Sequence, residues 1–258
     1  MSVPASRRAW LRAGLTTALG LAAGACDKLT ASPAVNGALD GAETLNRRLH
    51  GLIVGPSALA REFPASAISP DFRANGTTNP DNDDYQRLAA GGFADWRLTI
   101  GGLVERPLSL SLAELRAAPA RSQITRHDCV EGWSSIAQWR GARLGPLLER
   151  AGLKREARYI AFFCADTLEL TLDGTGDYYE TIAVADAFHP QTLLAYEMNG
   201  AALPVAHGAP IRLRLERQLG YKMAKYVMRI EAIDSFAKLG RGKGGYWEDR
   251  GYQWYAGI

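Results

Sequence analysis

The chain has 258 residues, of which 47% are hydrophobic and 22% charged, with 27 glycines, 12 prolines and three cysteines. This composition belongs to a folded globular protein with one sizeable core, and it excludes a disordered, collagen-like or disulfide-rich chain. The formal net charge of +3 lies within residues 1–25, which hold three arginines and no acid, so the neutral remainder gives no electrostatic reason to expect nucleic acid as a partner.

Residues 1–25 have the pattern of an export signal. Arg7 and Arg8 precede an apolar run over residues 13–25, which is shorter than the roughly 20 residues that span a bilayer. The arginine pair resembles the twin-arginine signal, which exports folded proteins. The run ends in Ala-Gly-Ala-Cys26, similar to a lipoprotein processing site, so lipidation of Cys26 and plain cleavage are both open. We predict a periplasmic location, with or without a membrane anchor at Cys26.

Residues 26–90 are rich in Ala, Ser, Pro, Asn, Gly and Asp and predict an extended arm that lies over a domain at residues 91–258. One helix-like piece occurs at residues 43–52. Alternation of apolar and polar residues over 96–100 predicts the first half-buried strand, and Gly101-Gly102 permits a turn or bulge after it.

Two short helices follow. Ser111 and Glu114 have the spacing of a capping box, which predicts a helix that ends before Pro119. A second helix is predicted over residues 146–150, with Pro146 in its first turn and Gly152 as its stop.

The rest of the chain is predicted to be mostly strand. Residues 159–164 form a short apolar run, and residues 211–216 and 226–233 alternate. Asn199-Gly200 lies between apolar segments at 194–198 and 201–203 and predicts a hairpin. The glycine-rich run 240–245 lacks the spacing of a P-loop and is interpreted as a flexible loop. Without repeats or a βαβα rhythm, the order predicts an α+β fold with mixed β-sheets and short helices.

Several catalytic motifs are absent from the sequence. It contains no Gly-x-Ser-x-Gly, no His-Glu-x-x-His and no Cys-x-x-Cys, and none of its four histidines has a partner at zinc-ligand spacing. Motifs of a hydrolase, a zinc enzyme or a self-contained electron carrier are therefore not visible.

Cys129 is set among the charged or polar residues Arg126, His127, Asp128 and Glu131, which is unusual for a core cysteine. Three interpretations are open: a disulfide with Cys164, a nucleophile with His127 as its base, or a metal thiolate. A regular strand would separate His127 and Cys129 by ~6.6 Å of rise, whereas a base must lie within roughly 3 Å of its nucleophile. The metal interpretation needs only one sulfur that faces a cavity.

A second cluster is basic. It comprises Arg212, Arg214, Arg217, Lys222, Lys225 and Arg229, with Glu216 as the single acid in that stretch. Arg212 and Arg214 share a strand face, and Gly220-Tyr221-Lys222 predicts a turn with exposed amides beside an ammonium group. Guanidinium groups and backbone amides are what a phosphate needs; the alternative is a solvated, charged sheet face. Together with Cys129, the cluster indicates a metal cofactor with a phosphorylated organic ligand.

These residues also carry a resemblance. Residues 126–134 (RHDCVEGWS), residues 144–152 and the block from Gly208-Ala209-Pro210 through Arg212 to Lys222 resemble the molybdopterin-binding domain of the sulfite oxidase family. The branch is that of the exported bacterial methionine-sulfoxide reductase catalytic subunits, and the similarity runs from Asn75 to Ile233. The resemblance implies a sulfite oxidase-type domain, a molybdenum–molybdopterin cofactor and Cys129 as the metal ligand.

The resemblance also implies further site residues, with cofactor contacts that begin near residue 75. They are Asn75, Thr78, Asn79, Cys164, His207, Arg212, Gly220, Tyr221 and Lys222. Cys164 stands where relatives have Thr, and His207 where they have Asn. Arg212 and Lys222 would neutralise the cofactor phosphate, and His127 or Tyr221 would lie near the reacting groups as catalytic residues.

The implied function is an exported oxidoreductase that performs two-electron oxygen-atom transfer on a small substrate, by sulfite-type oxidation or sulfoxide-type reduction. Electrons would pass through a separate protein, a membrane b-type or soluble c-type cytochrome. Two alternatives are a metal-free lipoprotein that keeps the fold as a binding or structural module, and a thiol enzyme that uses Cys129 and His127.

Overall fold

The computed structural model describes residues 57–258 and seven separate positions between 32 and 55. The predicted export signal, Cys26 and, apart from Leu45, the helix-like piece at 43–52 lie outside the described residues. Residues Pro56–Ile258 form one compact unit, so residues 57–90 of the predicted arm belong to the same unit as the predicted domain at 91–258. Within the part of the chain that is described, no helix is long and apolar enough to cross a membrane.

The unit contains ten strands and four α-helices. In chain order they are α1 Asp83–Ala90, β1 Arg97–Gly102, β2 Leu108–Ser111, α2 Leu112–Ala117, β3 Ala120–Asp128, β4 Ser134–Arg143, α3 Leu144–Ala151, β5 Tyr159–Thr167, β6 Asp177–Ala183, α4 Val184–Ala187, β7 Leu193–Met198, β8 Ala201–Ala202, β9 Arg212–Arg214 and β10 Val227–Ile233. Short 3-10 helices include Val205–His207 and Gly220–Lys222.

The strands form two sheets. The first has the order β2-β1-β10-β5-β6, and the second runs β3-β4-β7-β8 with β9 also paired to β7. Strands β1 and β10 are parallel, whereas the other pairs are antiparallel. This arrangement of mixed sheets and short helices is the predicted α+β fold.

The predicted strands occur with shifted ends. In β1, Leu98 and Ile100 are buried while Arg97 and Thr99 are exposed, which is the predicted alternation. Gly102 ends this strand with φ +76°, and a Cβ there would lie 2.3 Å from the Ala232 carbonyl oxygen, so the close approach requires glycine. Of the alternating residues 211–216, only Arg212–Arg214 form β9, since only these three pair with β7.

The predicted turns and helix boundaries also occur. Ser111 and Glu114 form both bonds of a capping box at α2, and Gly152 ends α3 in the left-handed conformation. The α3 helix begins at Leu144, two residues before Pro146. Asn199-Gly200 joins β7 to β8 with positive φ at both residues, as a two-residue hairpin turn requires.

Two apolar clusters flank the second sheet. The larger lies between the sheets and combines, for example, Leu98 and Ile230 of the first with Leu194 and Leu213 of the second. The smaller contains Phe72, Trp139 and Met198, so residues before α1 contribute to the core.

The predicted loop at 240–245 contains no helix or strand. Its conformation is fixed by Asp249, whose carboxylate accepts hydrogen bonds from the backbone amides of Arg241 (2.8 Å) and Lys243 (3.0 Å) and from the Tyr179 hydroxyl (2.7 Å). The glycine run is therefore anchored to a neighbouring carboxylate.

Candidate functional site

Cys129 lies at the end of the β3–β4 hairpin. Its amide donates to the Trp133 carbonyl (2.9 Å), and the Gly132 amide donates back to the Cys129 carbonyl (3.0 Å). Gly132 has φ +85°, a conformation that glycine adopts without strain. Nine consecutive residue pairs fix the hairpin register, and that register decides which way each side chain faces. The sequence thus places the Cys129 side chain at a defined point beside a cavity.

The cavity next to Cys129 has a volume of ≈ 130 Å³ and is open to solvent. Its lining combines charged, polar and aromatic side chains. Its lining includes Asn75, Gly76, Thr77, Cys129, Val130, Glu131, Asp166, Leu168, Tyr178, Arg212, Gly220, Tyr221, Met223, Lys225, Trp247 and Tyr252.

The Cys129 sulfur accepts a hydrogen bond from the Asn75 side-chain amide at 3.4 Å. Burial raises the pKa of the thiol above its ordinary value, because a buried charge is disfavoured. The nearby charged residues therefore do not create the low-pKa nucleophile that the second interpretation of Cys129 requires.

Cys129 and Cys164 are both free thiols, so the disulfide interpretation of Cys129 is wrong. Cys164 lies in β5 and faces a separate cavity with Phe163, Asp177 and Met228 among its lining residues. Burial raises its pKa strongly. The structure thus does not bring Cys164 to the Cys129 cavity, and the implied cofactor contact is not formed there.

His127 is buried in β3 and does not line the cavity. Its Nδ1 lies 3.1 Å from the Arg214 guanidinium, and its ring packs against Phe72 and Trp133. Burial, and then the Arg214 charge, hold the pKa of His127 well below its ordinary value. The ring accordingly stays neutral, and the structure does not assemble the thiol–histidine pair of a Cys129 nucleophile.

Arg212 reaches the cavity from β9. Its guanidinium donates to the carbonyls of His207 (3.2 Å) and Met223 (3.3 Å), while its Nε has no partner. Burial lowers the pKa of Arg212 to about 9. A buried guanidinium with a free donor and no paired carboxylate provides a charge for an anionic ligand.

Lys225 also lines the cavity, although the sequence analysis did not assign it a cofactor contact. Its ammonium donates to the carbonyls of Asn75 (2.8 Å), Thr77 and Ala206 (3.3 Å). Burial, and then the charge of Arg212, lower the pKa of Lys225 to about 7. The sequence signal for Lys225 is that it belongs to the same basic cluster as Arg212.

Lys222, the predicted phosphate contact, does not line the cavity. Its buried ammonium lies between the carboxylates of Glu180 and Glu248, at 2.5 Å from each. The assignment of Lys222 to the phosphate is therefore wrong, because two carboxylates already surround its charge.

Gly220 and Tyr221, which the resemblance implied as cofactor contacts, line the cavity. A Cβ on Gly220 would lie 2.4 Å from the His127 ring, so glycine allows the backbone to pass this close. The Tyr221 hydroxyl donates to the Gln253 carbonyl at 2.6 Å, which ties the C-terminal residues to the site.

Besides Cys164 and Lys222, three more implied residues lie outside the cavity lining. Thr78 and Asn79 are exposed, and the Asn79 side chain accepts from Gln86; Thr77 lines the cavity in their place. His207 supplies its carbonyl to Arg212, and its ring packs on Phe72 at 5.6 Å.

Asp166 and the aromatic residues of the cavity were not predicted from the sequence. Asp166 is buried with Oδ1 unpartnered, and burial raises its pKa to about 6. Trp247 and Tyr252 stack at 5.3 Å between ring centres. No motif marks these residues, since they are assembled from distant parts of the chain.

The family of oxidoreductase molybdopterin binding domains matches residues 87–238. This chain belongs to that family. A putative protein-methionine-sulfoxide reductase subunit YedZ1 of Azospira oryzae is 36% identical over 253 residues, which cover 98% of this chain and 88% of that protein. The predicted family, the α+β molybdopterin-binding fold and the assignment as an oxidoreductase enzyme are thereby confirmed.

Other members of the molybdopterin-binding family match over a shorter region. Protein-methionine-sulfoxide reductase catalytic subunits MsrP of Xanthomonas axonopodis pv. citri and Campylobacter jejuni are each 36% identical, over 55% and 53% of this chain. The matched region covers 46% and 48% of those proteins, so this chain spans about half their length. The sulfane dehydrogenase SoxCD of Paracoccus pantotrophus has a TM-score of 0.48 and 25% identity, over 55% of this chain and 39% of that one.

The residues at the cavity fit a molybdopterin group. Cys129 offers one soft sulfur ligand, of the kind that suits such metals. Among the described residues, no three His, Cys, Asp or Glu side chains gather into a metal-binding group, so the cofactor must bring the remaining ligands. The unpartnered Nε of Arg212 is a buried donor that a bound anion would satisfy.

Proposed function

We propose that this molybdopterin-binding oxidoreductase reduces sulfoxides outside the cytoplasm. The sulfoxide accepts two electrons and two protons, its S–O bond breaks, and a thioether and one water molecule form. The observation that carries the proposal is the cavity, which joins the Cys129 sulfur, two cations without a carboxylate partner and a wall of aromatic side chains.

Cys129 would hold the molybdenum, and the Asn75 amide would orient that sulfur through its hydrogen bond. When bound, the molybdenum cofactor supplies the two-electron redox chemistry and the oxygen-atom exchange. The β3–β4 hairpin keeps the ligand in place, because both sides of the Cys129 turn are hydrogen-bonded.

Arg212 and Lys225 would bind the phosphate of the cofactor. Both are buried basic groups at the cavity, and both donate hydrogen bonds to backbone carbonyls and not to carboxylates. A phosphate satisfies such charges well. The missing side chain of Gly220 lets its backbone pass against the His127 ring at the edge of the cavity.

Asp166 would hold a proton for the reaction at its cavity-facing side chain. Its pKa is raised to about 6 by burial, so it releases a proton readily near neutral pH. Its unpartnered Oδ1 is free to donate when protonated.

The aromatic wall favours sulfoxide reduction over sulfite oxidation. Trp247 and Tyr252 stack together at the cavity, and sulfur next to an aromatic ring is a favourable contact. A sulfite dianion would gain little from such a wall. The relatives that match over this domain are named as methionine-sulfoxide reductases, which supports the same direction.

The location and the electron partner are part of the proposal. The paired arginines at Arg7 and Arg8 fit export of a folded, cofactor-loaded protein to the periplasm, with Cys26 as the candidate lipid anchor. The sequence has no c-type haem motif, so electrons would arrive from a membrane b-type or soluble c-type cytochrome.

Metal analysis together with turnover tests the proposal. Wild-type protein from cells supplied with molybdate should contain about one molybdenum per chain, and Cys129→Ser under ~0.1, because the single protein ligand is lost. Cys164→Ser is the matched control and should keep its metal. With a reduced viologen dye as donor, the wild type should reduce methionine sulfoxide; turnover of sulfite with an electron acceptor, and of no sulfoxide, would contradict the proposal.

A further inference from the structure

A buried cluster of three ionisable side chains adjoins residues that line the cavity. The Lys222 ammonium lies 2.5 Å from a carboxylate oxygen of Glu180 and 2.5 Å from one of Glu248, and none of the three side chains is more than 1% exposed. With both acids ionised, the cluster would hold a net charge of −1 away from water, which is costly. One cation is therefore too few for these two carboxylates.

The groups that surround the cluster do not supply a second cation. The other ionisable side chains that act on it are Tyr178, Tyr179, Cys164 and Asp186. Burial raises the pKa of the two tyrosines and of the cysteine above their ordinary values, so these three groups stay neutral. Asp186 is a further acid, and among the described residues Lys222 is the cation that pairs with Glu180 and with Glu248.

The two carboxyl groups are arranged to keep one proton between them. Their Oε1 atoms are both bound to the Lys222 nitrogen, while the Oε2 atoms of Glu180 and Glu248 are buried without a hydrogen-bond partner. Two acids in one buried site do not both ionise readily, and the proton belongs to the pair. Burial, and then the charge of Glu248, raise the pKa of Glu180 well above its ordinary value.

The cluster fastens one side of the cavity. We define the C-terminal wall as residues 245–252, of which Trp247 and Tyr252 line the cavity. Glu248 lies in this wall, whereas Glu180 belongs to β6 and Lys222 follows two other residues of the cavity lining. The ammonium thus joins the C-terminal wall to the sheet and to the opposite lining segment.

We propose that Glu180 and Glu248 share one proton beside Lys222, and that loss of this proton releases the C-terminal wall from the cavity. With the proton, the closed cluster is neutral. Without it, a buried negative charge remains, and opening of the wall relieves that charge because water then reaches Glu248. The inference concerns access to the cavity and does not depend on which substrate is reduced.

The sign of the pH dependence follows from the proton count. The closed wall binds one proton more than the open wall at pH values above the ordinary pKa of a glutamate and below that of the buried pair. The stability of the closed wall is therefore complete at low pH and is lost as the pH rises. Since opening releases one proton, its equilibrium constant should rise about tenfold per pH unit in that interval.

Hydrogen exchange of the full-length protein at pH 5, 6, 7, 8 and 9 tests the proposal. The rates are expressed as protection factors, which remove the intrinsic pH dependence of amide exchange. In the C-terminal wall, the amides of Tyr246 and Tyr252 donate to backbone carbonyls. Their protection factors should fall about tenfold per pH unit and then level off once the pair has lost its proton. Amides of the β3–β4 hairpin should not follow this change.

Two variants remove the extra proton without removing the ion pair. Glu180→Gln and Glu248→Gln each leave one carboxylate with Lys222, so the cluster is neutral over the whole pH range. Protection of the C-terminal wall should then be independent of pH in either variant, and one of them suffices if the other does not fold. Glu149→Gln, which changes an exposed acid on α3, is the matched control and should behave as the wild type.

Infrared spectroscopy detects the shared proton directly. The difference spectrum between wild type and Glu180→Gln at pH 7 should show the carbonyl stretch of one protonated carboxylic acid in the wild type. The band is lost in the variant, because the remaining Glu248 is ionised beside Lys222. Glu149→Gln should retain it.

Four results would overturn the proposal. They are wall protection that does not change with pH, a pH dependence that persists in both glutamine variants, an equal fall in the β3–β4 hairpin, and the absence of the infrared band. Wild-type protein that reduces no sulfoxide would refute the proposed function alone, since exchange and infrared spectra are measured without substrate.

Discussion

Two lysines three positions apart in the sequence have opposite surroundings. Lys222 is enclosed by the carboxylates of Glu180 and Glu248, whereas Lys225 donates to backbone carbonyls at the cavity. The first charge is neutralised within the protein, so its role is structural. The second has no hydrogen-bonded carboxylate, and burial lowers its pKa to about 7, so a bound anion would stabilise its charged form.

The two arginines of β9 repeat the contrast. Arg214 forms two hydrogen bonds to Glu216, at 2.8 and 2.7 Å, while Arg212 donates to carbonyls and lines the cavity. Both guanidinium groups lie over Trp139, at 4.3 and 5.2 Å from its ring, so they share a strand face as predicted. The two arginines share a strand face, so their different roles follow from their hydrogen-bond partners: a carboxylate for Arg214 and backbone carbonyls for Arg212.

The largest effect on the free energy of unfolding is expected for substitution of Lys222, whose charge is neutralised inside the protein. Lys222→Met leaves Glu180 and Glu248 buried without their counter-charge, which should lower the free energy of unfolding by about 3–5 kcal/mol. Urea unfolding of the cofactor-free protein measures the loss. The triple variant with Glu180→Gln and Glu248→Gln removes the buried charges together and should recover most of it; failure to recover would contradict the structural role.

Asp166 is the acidic counterpart of Lys225, since it is buried at the same cavity and burial raises its pKa more than the Lys225 charge lowers it. Its pKa is raised from 3.8 to about 6 by burial, so the folded state binds this proton more tightly than the unfolded state. The stability that protonation provides is complete below pH ~4 and is lost as the pH rises through ~6. Cofactor-free Asp166→Asn should therefore exceed the wild type in stability at pH 7, by up to about 3 kcal/mol.

Thermal unfolding at pH 4, 5, 6 and 7 checks this prediction. The difference between Asp166→Asn and the wild type should grow over that interval. A constant difference would show that the folded and unfolded states titrate alike at this residue.

A smaller effect on stability and a specific one on binding are expected at Lys225. Lys225→Met should change the free energy of unfolding by no more than about 1 kcal/mol, yet lower the molybdenum content about tenfold, because a phosphate partner is lost. Lys225→Arg keeps the charge and should retain more cofactor. Equal molybdenum content in the wild type and Lys225→Met would show that Lys225 does not bind the cofactor, and its proposed difference from the structural Lys222 would be wrong.

The smallest effect is expected at an exposed pair. Arg87 and Asp84 lie 2.7 Å apart on α1, with side chains 74% and 76% exposed. Arg87→Ala should change the free energy of unfolding by less than about 0.5 kcal/mol, which urea unfolding can measure. If Arg87→Ala lowered the free energy of unfolding as much as Lys222→Met, burial would not explain why the two ion pairs contribute differently to stability.

Local patterns predicted the local features of the fold. The capping box at Ser111, the hairpin turn at Asn199-Gly200 and the stop at Gly152 were visible, because each depends on residues within a few positions. The ends of β9 were not, since they depend on pairing with β7. The α1 helix was missed although Asn82 caps it and two aspartates occupy its first turn.

Site residues could be predicted from the sequence where they belong to a short motif of consecutive residues. Cys129, Gly220 and Tyr221 line the cavity as the resemblance implied. The roles of Lys222 and Lys225 could not be separated in the sequence, because the carboxylates that neutralise Lys222 lie 42 and 26 positions away. The aromatic wall likewise depends on the way the last residues fold back to Tyr221.

Because the C-terminal residues fold back onto Tyr221, the cavity can form only after these residues have been synthesised. Trp247 and Tyr252 line it, the Tyr221 hydroxyl binds the Gln253 carbonyl, and residues 239–258 lie beyond the stretch that matches the family. A ribosome must therefore release nearly the whole chain before the wall exists. We expect cofactor insertion to follow translation, so a nascent chain stalled before residue 247 should emerge with Cys129 still accessible to alkylation.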